Sequence, residues 1–129
     1  MVAFFGGRGE VNGAEPDNDT QYRIGSITKT FIAVMVMRLR DEGQLDLLDR
    51  LDRFLPETAD LPGVGSARIG ELLAHTSGLA SETPSPWWER VHGSVRPELA
   101  DLFTEDGRRH SAGRHFHYSN PGFALLGAT

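Results

Sequence analysis

Residues 26–42 read SITKTFIAVMVMRLRDE, a run without Gly or Pro that is apolar on nearly every face from 31 to 37. Such a pattern predicts one largely buried helix, opening at Ser26 and stopping at Gly43. Upstream, VAFF at 2–5 before Gly6-Gly7, and the alternation of Thr20, Tyr22 and Ile24, predict two strands. The Gly-, Asn- and Asp-rich stretch between them makes 1–25 a strand hairpin. Downstream, Leu45, Leu47, Leu48, Leu51, Phe54 and Leu55 predict a short amphipathic segment packed on the helix. Residues 69–75 give a second short helix broken at Gly78, and 97–103 another. At the end, Asn120 as N-cap and Pro121 as first helical residue open a last helix. That helix stops without a polar face or a cap, and the chain opens on a strand, so both ends are expected to continue into something larger. The whole is α/β (α+β): strands at 1–25, and a helical region over 26–129.

Composition narrows the function. The chain has 129 residues, enough for one core, and its apolar run at 31–37 is far short of the roughly 20 residues of a membrane span. Thirteen Lys and Arg against eighteen Asp and Glu give a net charge of −5, with no basic stripe, which argues against nucleic acid and anionic lipid as partners. A small molecule or peptide fits better. No cysteine is present, which excludes disulfides, thiolate zinc and cysteine nucleophiles and leaves the compartment open. Of the thirteen cations only Lys29 is a lysine, hence the only one able to act as a neutral base.

Lys29 stands three residues after Ser26, on the same helix face and within reach of its hydroxyl. A serine nucleophile with a lysine base needs that spacing. The helix N-terminus favours an anion over an ammonium, the apolar residues beyond it exclude water, and the Ser26 backbone N–H can face an oxyanion. A serine cap with a lysine one turn later also arises by chance, so the tetrapeptide needs company. It has it in Tyr118-Ser119-Asn120: a phenol beside an ammonium can shuttle a proton, and an Asn amide can orient both Lys29 and a substrate carbonyl.

Three runs, YRIGSITKTFIAVMVMRLRDEGQLDLLDRLDRFLP, IGELLAHTSGL and AGRHFHYSNPGFALLG, follow the order and spacing of the serine β-lactamase-related family, which the chain resembles over nearly its whole length, 81–110 excepted. That family includes class C β-lactamases, D-alanyl-D-alanine carboxypeptidases and family VIII-type esterases. The resemblance implies Ser26 as acyl-forming nucleophile, Lys29 as its base partner, Tyr118 as proton shuttle, Asn120 as substrate-binding amide, and His75 to Leu79 as a structural turn. It implies a serine hydrolase acting on an amide, β-lactam or ester carbonyl, with no cofactor. The family's third element, Lys-Thr-Gly or His-x-Gly, does not follow Asn120, and Ala112-Gly113 stands where Pro-Gly is usual. The segment is therefore expected to be the nucleophile-bearing part of a larger domain, weak or inactive alone, with a bare surface favouring self-association.

Other readings come from the residues themselves. One is a non-catalytic binding or assembly module of the same fold. Another is a metal site at His110, His115 and His117, although no Asp, Glu or Cys stands at a matching spacing. His75 and Ser77, two apart, do not face each other on a helix, and Gly7-x-Gly9 lacks the third glycine of a dinucleotide loop. Trp87-Trp88 reads as a surface anchor or a cleft lid.

Overall fold

The computed structural model describes residues 17, 19–61, 63–82 and 110–129. Its first helix, α1, spans Thr28–Asp41 and is entered through a 3-10 turn at Gly25–Ile27. It stops at the predicted glycine. Gly43 has φ +70°, its N–H donates to Arg40 C=O at 3.0 Å, and Gln44 N–H donates to Leu39 C=O at 2.9 Å. Those paired bonds form a Schellman cap, whose left-handed residue is strained for any side chain with a Cβ.

Two 3-10 turns, Leu51–Arg53 and Pro56–Thr58, take the place of the single amphipathic segment. Leu45, Leu51 and Leu55 are buried, while Leu48 points to solvent. The segment is strapped to the start of helix α2, Ile69–Leu73, by Leu51 N–H to Ala67 C=O at 2.8 Å, Ile69 N–H to Asp49 C=O at 3.0 Å and Gly70 N–H to Leu47 C=O at 2.8 Å. Glu71 Oε2 caps α2 by accepting Arg68 N–H at 2.9 Å. Helix α3, Asn120–Ala128, closes the described fold. One core unites these parts: Val36 of α1, Leu51, Leu55, Ile69, Leu72, Leu79, and Phe123, Leu125 and Leu126 of α3. Burying each such side chain is worth roughly 1.5–3 kcal/mol. Helix α3 comes close to α1 at Gly127, where an added Cβ would stand 3.4 Å from Ile32 Cδ1.

Three expectations change. Helix α1 is not largely buried: Val36 is, with Ile32, Ala33 and Leu39 partly so, but Phe31, Val34 and Met35 are 61%, 55% and 65% exposed. The core touches α1 along the 32–36–39 stripe only, and nothing among the described residues covers its other side. Thr20, Tyr22 and Ile24 form no strand, because a strand exists through pairing and no described residue pairs with them. Among the described residues no strand is present, and the β-bridge whose two partners are both described joins Arg50 and Arg68. The N-cap of α3 is Ser119, not Asn120, since the Ser119 hydroxyl accepts Gly122 N–H at 3.0 Å and Asn120 is already helical. The expected strand at 2–5, the helix at 97–103, and Trp87 and Trp88 lie outside the described residues.

Candidate active site

The four side chains singled out in the sequence meet at the N-terminal end of α1. Ser26 sits in the 3-10 turn, where its side chain makes no capping bond; its Oγ is 2.8 Å from Tyr118 Oη instead. Lys29, one turn further, donates from Nζ to Ser26 Oγ at 3.3 Å and to Asn120 Oδ1 at 2.5 Å. Its Nζ also lies 4.8 Å from the centre of the Tyr118 ring. Ninety-two residues separate Ser26 from Tyr118, so tertiary structure creates the contact.

Extended backbone at residue 119 explains how two neighbours of one serine reach the same place. Ser119 has φ −135° and ψ 116°, a conformation in which successive side chains point to opposite sides. Ser119 therefore turns inward, 1% exposed, and Tyr118 and Asn120 turn toward α1. Inside, the Ser119 hydroxyl donates to Ala80 C=O at 2.8 Å and accepts Gly122 N–H, fastening the start of α3 to residues 80–82. Asn120 N–H adds a bond to Ser81 C=O at 3.0 Å. The Asn120 side chain is thus held between opposite charges. Its oxygen faces the Lys29 amine, and its Nδ2 donates to Glu82 Oε1 at 2.5 Å, which fixes which way round the amide lies.

His75 forms the floor under Tyr118. Its φ of +57° is unusual for a residue with a side chain, and it turns the chain sharply after α2. The ring lies 4.5 Å from the Tyr118 ring and 4.9 Å from that of Phe123, centre to centre, and its Nδ1 accepts Ser119 N–H at 3.1 Å. Burial first, and the Lys29 charge second, push the His75 imidazole below its ordinary value, the direction that suits a ring nitrogen that accepts. At Gly78, with φ +79°, an added Cβ would stand 2.0 Å from His110 C=O, so the turn from His75 to Gly78 forms a bed for the segment carrying Tyr118. The Tyr118 phenol is pushed below its ordinary value, chiefly by Lys29 beside it and next by the Ser26 hydroxyl; the Glu82 charge works weakly against this.

A cleft of about 540 Å³ opens here, lined by Ser26, Lys29, Asn120 and Glu82, with Arg23 and Ala124 among its other walls. The histidines arrange differently. The His110 ring stands 5.9 Å from that of His115 and 5.2 Å from that of His117, edge to face, and His117 Nε2 is 3.1 Å from Ser81 Oγ. Among the described residues no group of three His, Cys, Asp or Glu is disposed to hold a metal ion. No helix there is long and apolar enough to cross a membrane.

Sequence reasoning missed Ser119, Glu82 and the packing role of His75. Ser119 carried a readable signal, a serine directly before Asn-Pro-Gly at a helix start. Glu82 carried none, because its partner lies 38 residues away.

The family described as Beta-lactamase matches residues 2–129. Protein flp of Staphylococcus aureus is 31% identical over 110 residues, which cover 84% of this chain and 22% of that protein. Beta-lactamase-like protein 2 of Dictyostelium discoideum is 35% identical over 125 residues, covering 86% of this chain and 21% of that protein. Among solved structures, a D-stereospecific amidohydrolase from Streptomyces sp. superimposes with a TM-score of 0.69 at 31% identity, over 83% of this chain and 35% of that one. The chain spans about a fifth of the length of the curated relatives it matches.

Proposed function

The chain belongs to the β-lactamase family, a fold of serine hydrolases, and on that premise we propose that it carries the acyl-transfer machinery of such an enzyme. Ser26 is the nucleophile, Tyr118 and Lys29 are its proton-transfer partners, and Asn120 orients the substrate. The observation that carries the reading is the Ser26 hydroxyl, 2.8 Å from the Tyr118 oxygen while accepting from Lys29 at 3.3 Å.

Counting protons gives each group its part. Lys29 donates into Ser26 Oγ, and the bond between Ser26 Oγ and the Tyr118 oxygen can run either way; once Tyr118 is ionised, the Ser26 hydroxyl is its donor. Tyr118 is the nearer partner, and its ionisation is favoured by the Lys29 charge. In the proposed step Tyr118 acts as the phenolate: the Ser26 proton passes to its oxygen, giving the neutral phenol, Oγ bonds to the carbonyl carbon, and the carbonyl π pair moves onto oxygen, facing the Ser26 backbone N–H. The tetrahedral species then collapses. Its carbon–nitrogen or carbon–oxygen bond breaks, and the departing amine or alcohol takes the proton from Tyr118. Water repeats the sequence on the acyl-serine, releasing a carboxylic acid and restoring Ser26.

The substrate class is an amide, β-lactam or ester carbonyl; the amidohydrolase name of the Streptomyces relative supports an amide. The test uses activated esters, anilides and a chromogenic β-lactam, with peptide mapping of the protein after brief exposure. Acyl groups confined to Ser26, and absent from Ser26→Ala, are expected. Acylation of other serines to the same extent, or none at all, overturns the reading in favour of a binding module of the same fold.

A further inference from the structure

His117 takes no part in the proposed acyl transfer, yet its ring is tied to the site through a second segment. Its Nε2 is 3.1 Å from Ser81 Oγ, a bond in which either atom can donate, and both side chains are half-buried. The backbone of His117 is anchored as well, its N–H donating to His75 C=O at 2.7 Å. Ser81 is bound in turn to Asn120, whose N–H donates to Ser81 C=O at 3.0 Å, and the next residue, Glu82, accepts the Asn120 side-chain amide at 2.5 Å. One serine thus carries His117 on its side chain and Asn120 on its backbone. Alternation along 117–120 divides the work. His117 and Ser119 bind Ser81 Oγ and Ala80 C=O, while Tyr118 and Asn120 reach Ser26 and Lys29. Ser119 fixes residue 80 and His117 fixes residue 81, so these two side chains clamp the segment from which Asn120 is held at both its backbone and its amide.

We propose that His117 is a positioning residue: acting through Ser81, it sets where the Asn120 amide lies and so keeps Asn120 Oδ1 on the Lys29 amine beside Ser26. His117 itself does not line the cleft, whereas Asn120 and Glu82 do. The inference rests on the serine-hydrolase reading for the reaction that Asn120 serves, but the hold on Asn120 can be measured without turnover.

The native chain is compared with His117→Phe, which keeps an aromatic ring without a ring nitrogen, with His117→Gln, whose amide reaches about as far as Nε2, with Ser81→Ala, and with the double variant of His117→Phe and Ser81→Ala. Two quantities are read: hydrogen exchange of the Asn120 backbone N–H by nuclear magnetic resonance, and the rate at which a fluorophosphonate labels Ser26. Asn120 exchange is expected to quicken about fivefold in His117→Phe, the worth of one ordinary hydrogen bond, while amides in α1 keep their rates. Ser81→Ala and the double variant should match it, because the same bond is lost in all three. His117→Gln should restore most of the protection, and Ser26 labelling should slow and recover in step. Ser81→Ala removes the bond without touching the packing of the histidine, so it carries the test if His117→Phe loses its native circular dichroism. Unchanged Asn120 exchange, no recovery in His117→Gln, additive losses in the double variant, or quickened exchange with Ser26 labelled at the native rate overturns the inference. Quickened exchange alongside no labelling of Ser26 in the native chain overturns the reaction instead and leaves the hold of His117 on Asn120 standing.

Discussion

Replacing Ser119 with Ala removes one oxygen that serves two segments. Its hydroxyl accepts Gly122 N–H at 3.0 Å, capping α3, and donates to Ala80 C=O at 2.8 Å from a position only 1% exposed. Loss of the cap costs about 1 kcal/mol, and an Ala80 carbonyl left without this donor costs about 1 kcal/mol more. With a urea dependence of about 2 kcal/mol per molar, the unfolding midpoint falls by about 1 M. The matched control is Ser77→Ala. Ser77 is similarly buried, 2% exposed, but its only hydrogen bond among the described residues is a long one of 3.5 Å from Leu79 N–H, so its loss should stay under about 0.5 kcal/mol. Urea titrations of the three proteins by far-ultraviolet circular dichroism decide the matter. Equal losses at the two serines, or a Ser119→Ala loss below about 0.5 kcal/mol, would refute the claim that this hydroxyl fastens Asn120 in place.

Three further outcomes follow from the same geometry. His75 is held below its ordinary value, so the unfolded chain takes up the proton first: its contribution to stability is complete above about pH 6.5 and is lost as pH falls through the lower folded value. Urea midpoints should drop between pH 7.5 and 5, and less so in His75→Asn; an equal drop in that variant would contradict this. Tyr118 ionises below the value of about 10 for a free phenol, so phosphonylation of Ser26 should rise with pH and level off before pH 10. Tyr118→Phe should lose about 100-fold in that rate together with the rise, and a surviving rise would assign the proton transfer to another group. Gly43→Ala meets no atom within 4 Å and carries only the strain of φ +70°, about 1 kcal/mol, whereas Gly78→Ala drives a Cβ to 2.0 Å from a backbone oxygen and should cost about 3 kcal/mol or more. Equal unfolding midpoints for the two variants would show that residues 75–78 and 110 are not in contact.

What the sequence made legible was chemistry tied to local spacing. Ser26 and Lys29 share a helix face by periodicity alone, and Gly43 marks the end of α1 because only its backbone suits the cap. Tyr118 and Asn120 could be named from their motif, but their contact with Ser26 and Lys29 depends on how α3 packs against α1 and α2. The burial of α1 was misjudged because a run that is apolar on all sides says what could be covered; the described core covers only the 32–36–39 stripe. The cap of α3 was placed one residue late because Ser119 and Asn120 are both good caps. The choice is made by burial, which turns Ser119 inward toward Ala80 and leaves the Asn120 amide to Lys29 and Glu82. Glu82 itself was illegible, since an acidic residue after a turn usually marks a solvated loop.

The central claim is that Ser26, alone among the eight serines, is chemically activated by its neighbours. The most direct measurement is the intact mass of the native chain before and after a fluorophosphonate probe, run beside Ser26→Ala. A single adduct on the native protein that vanishes in the variant is the predicted result. Labelling that persists in Ser26→Ala, or no labelling of the folded native chain, would contradict it.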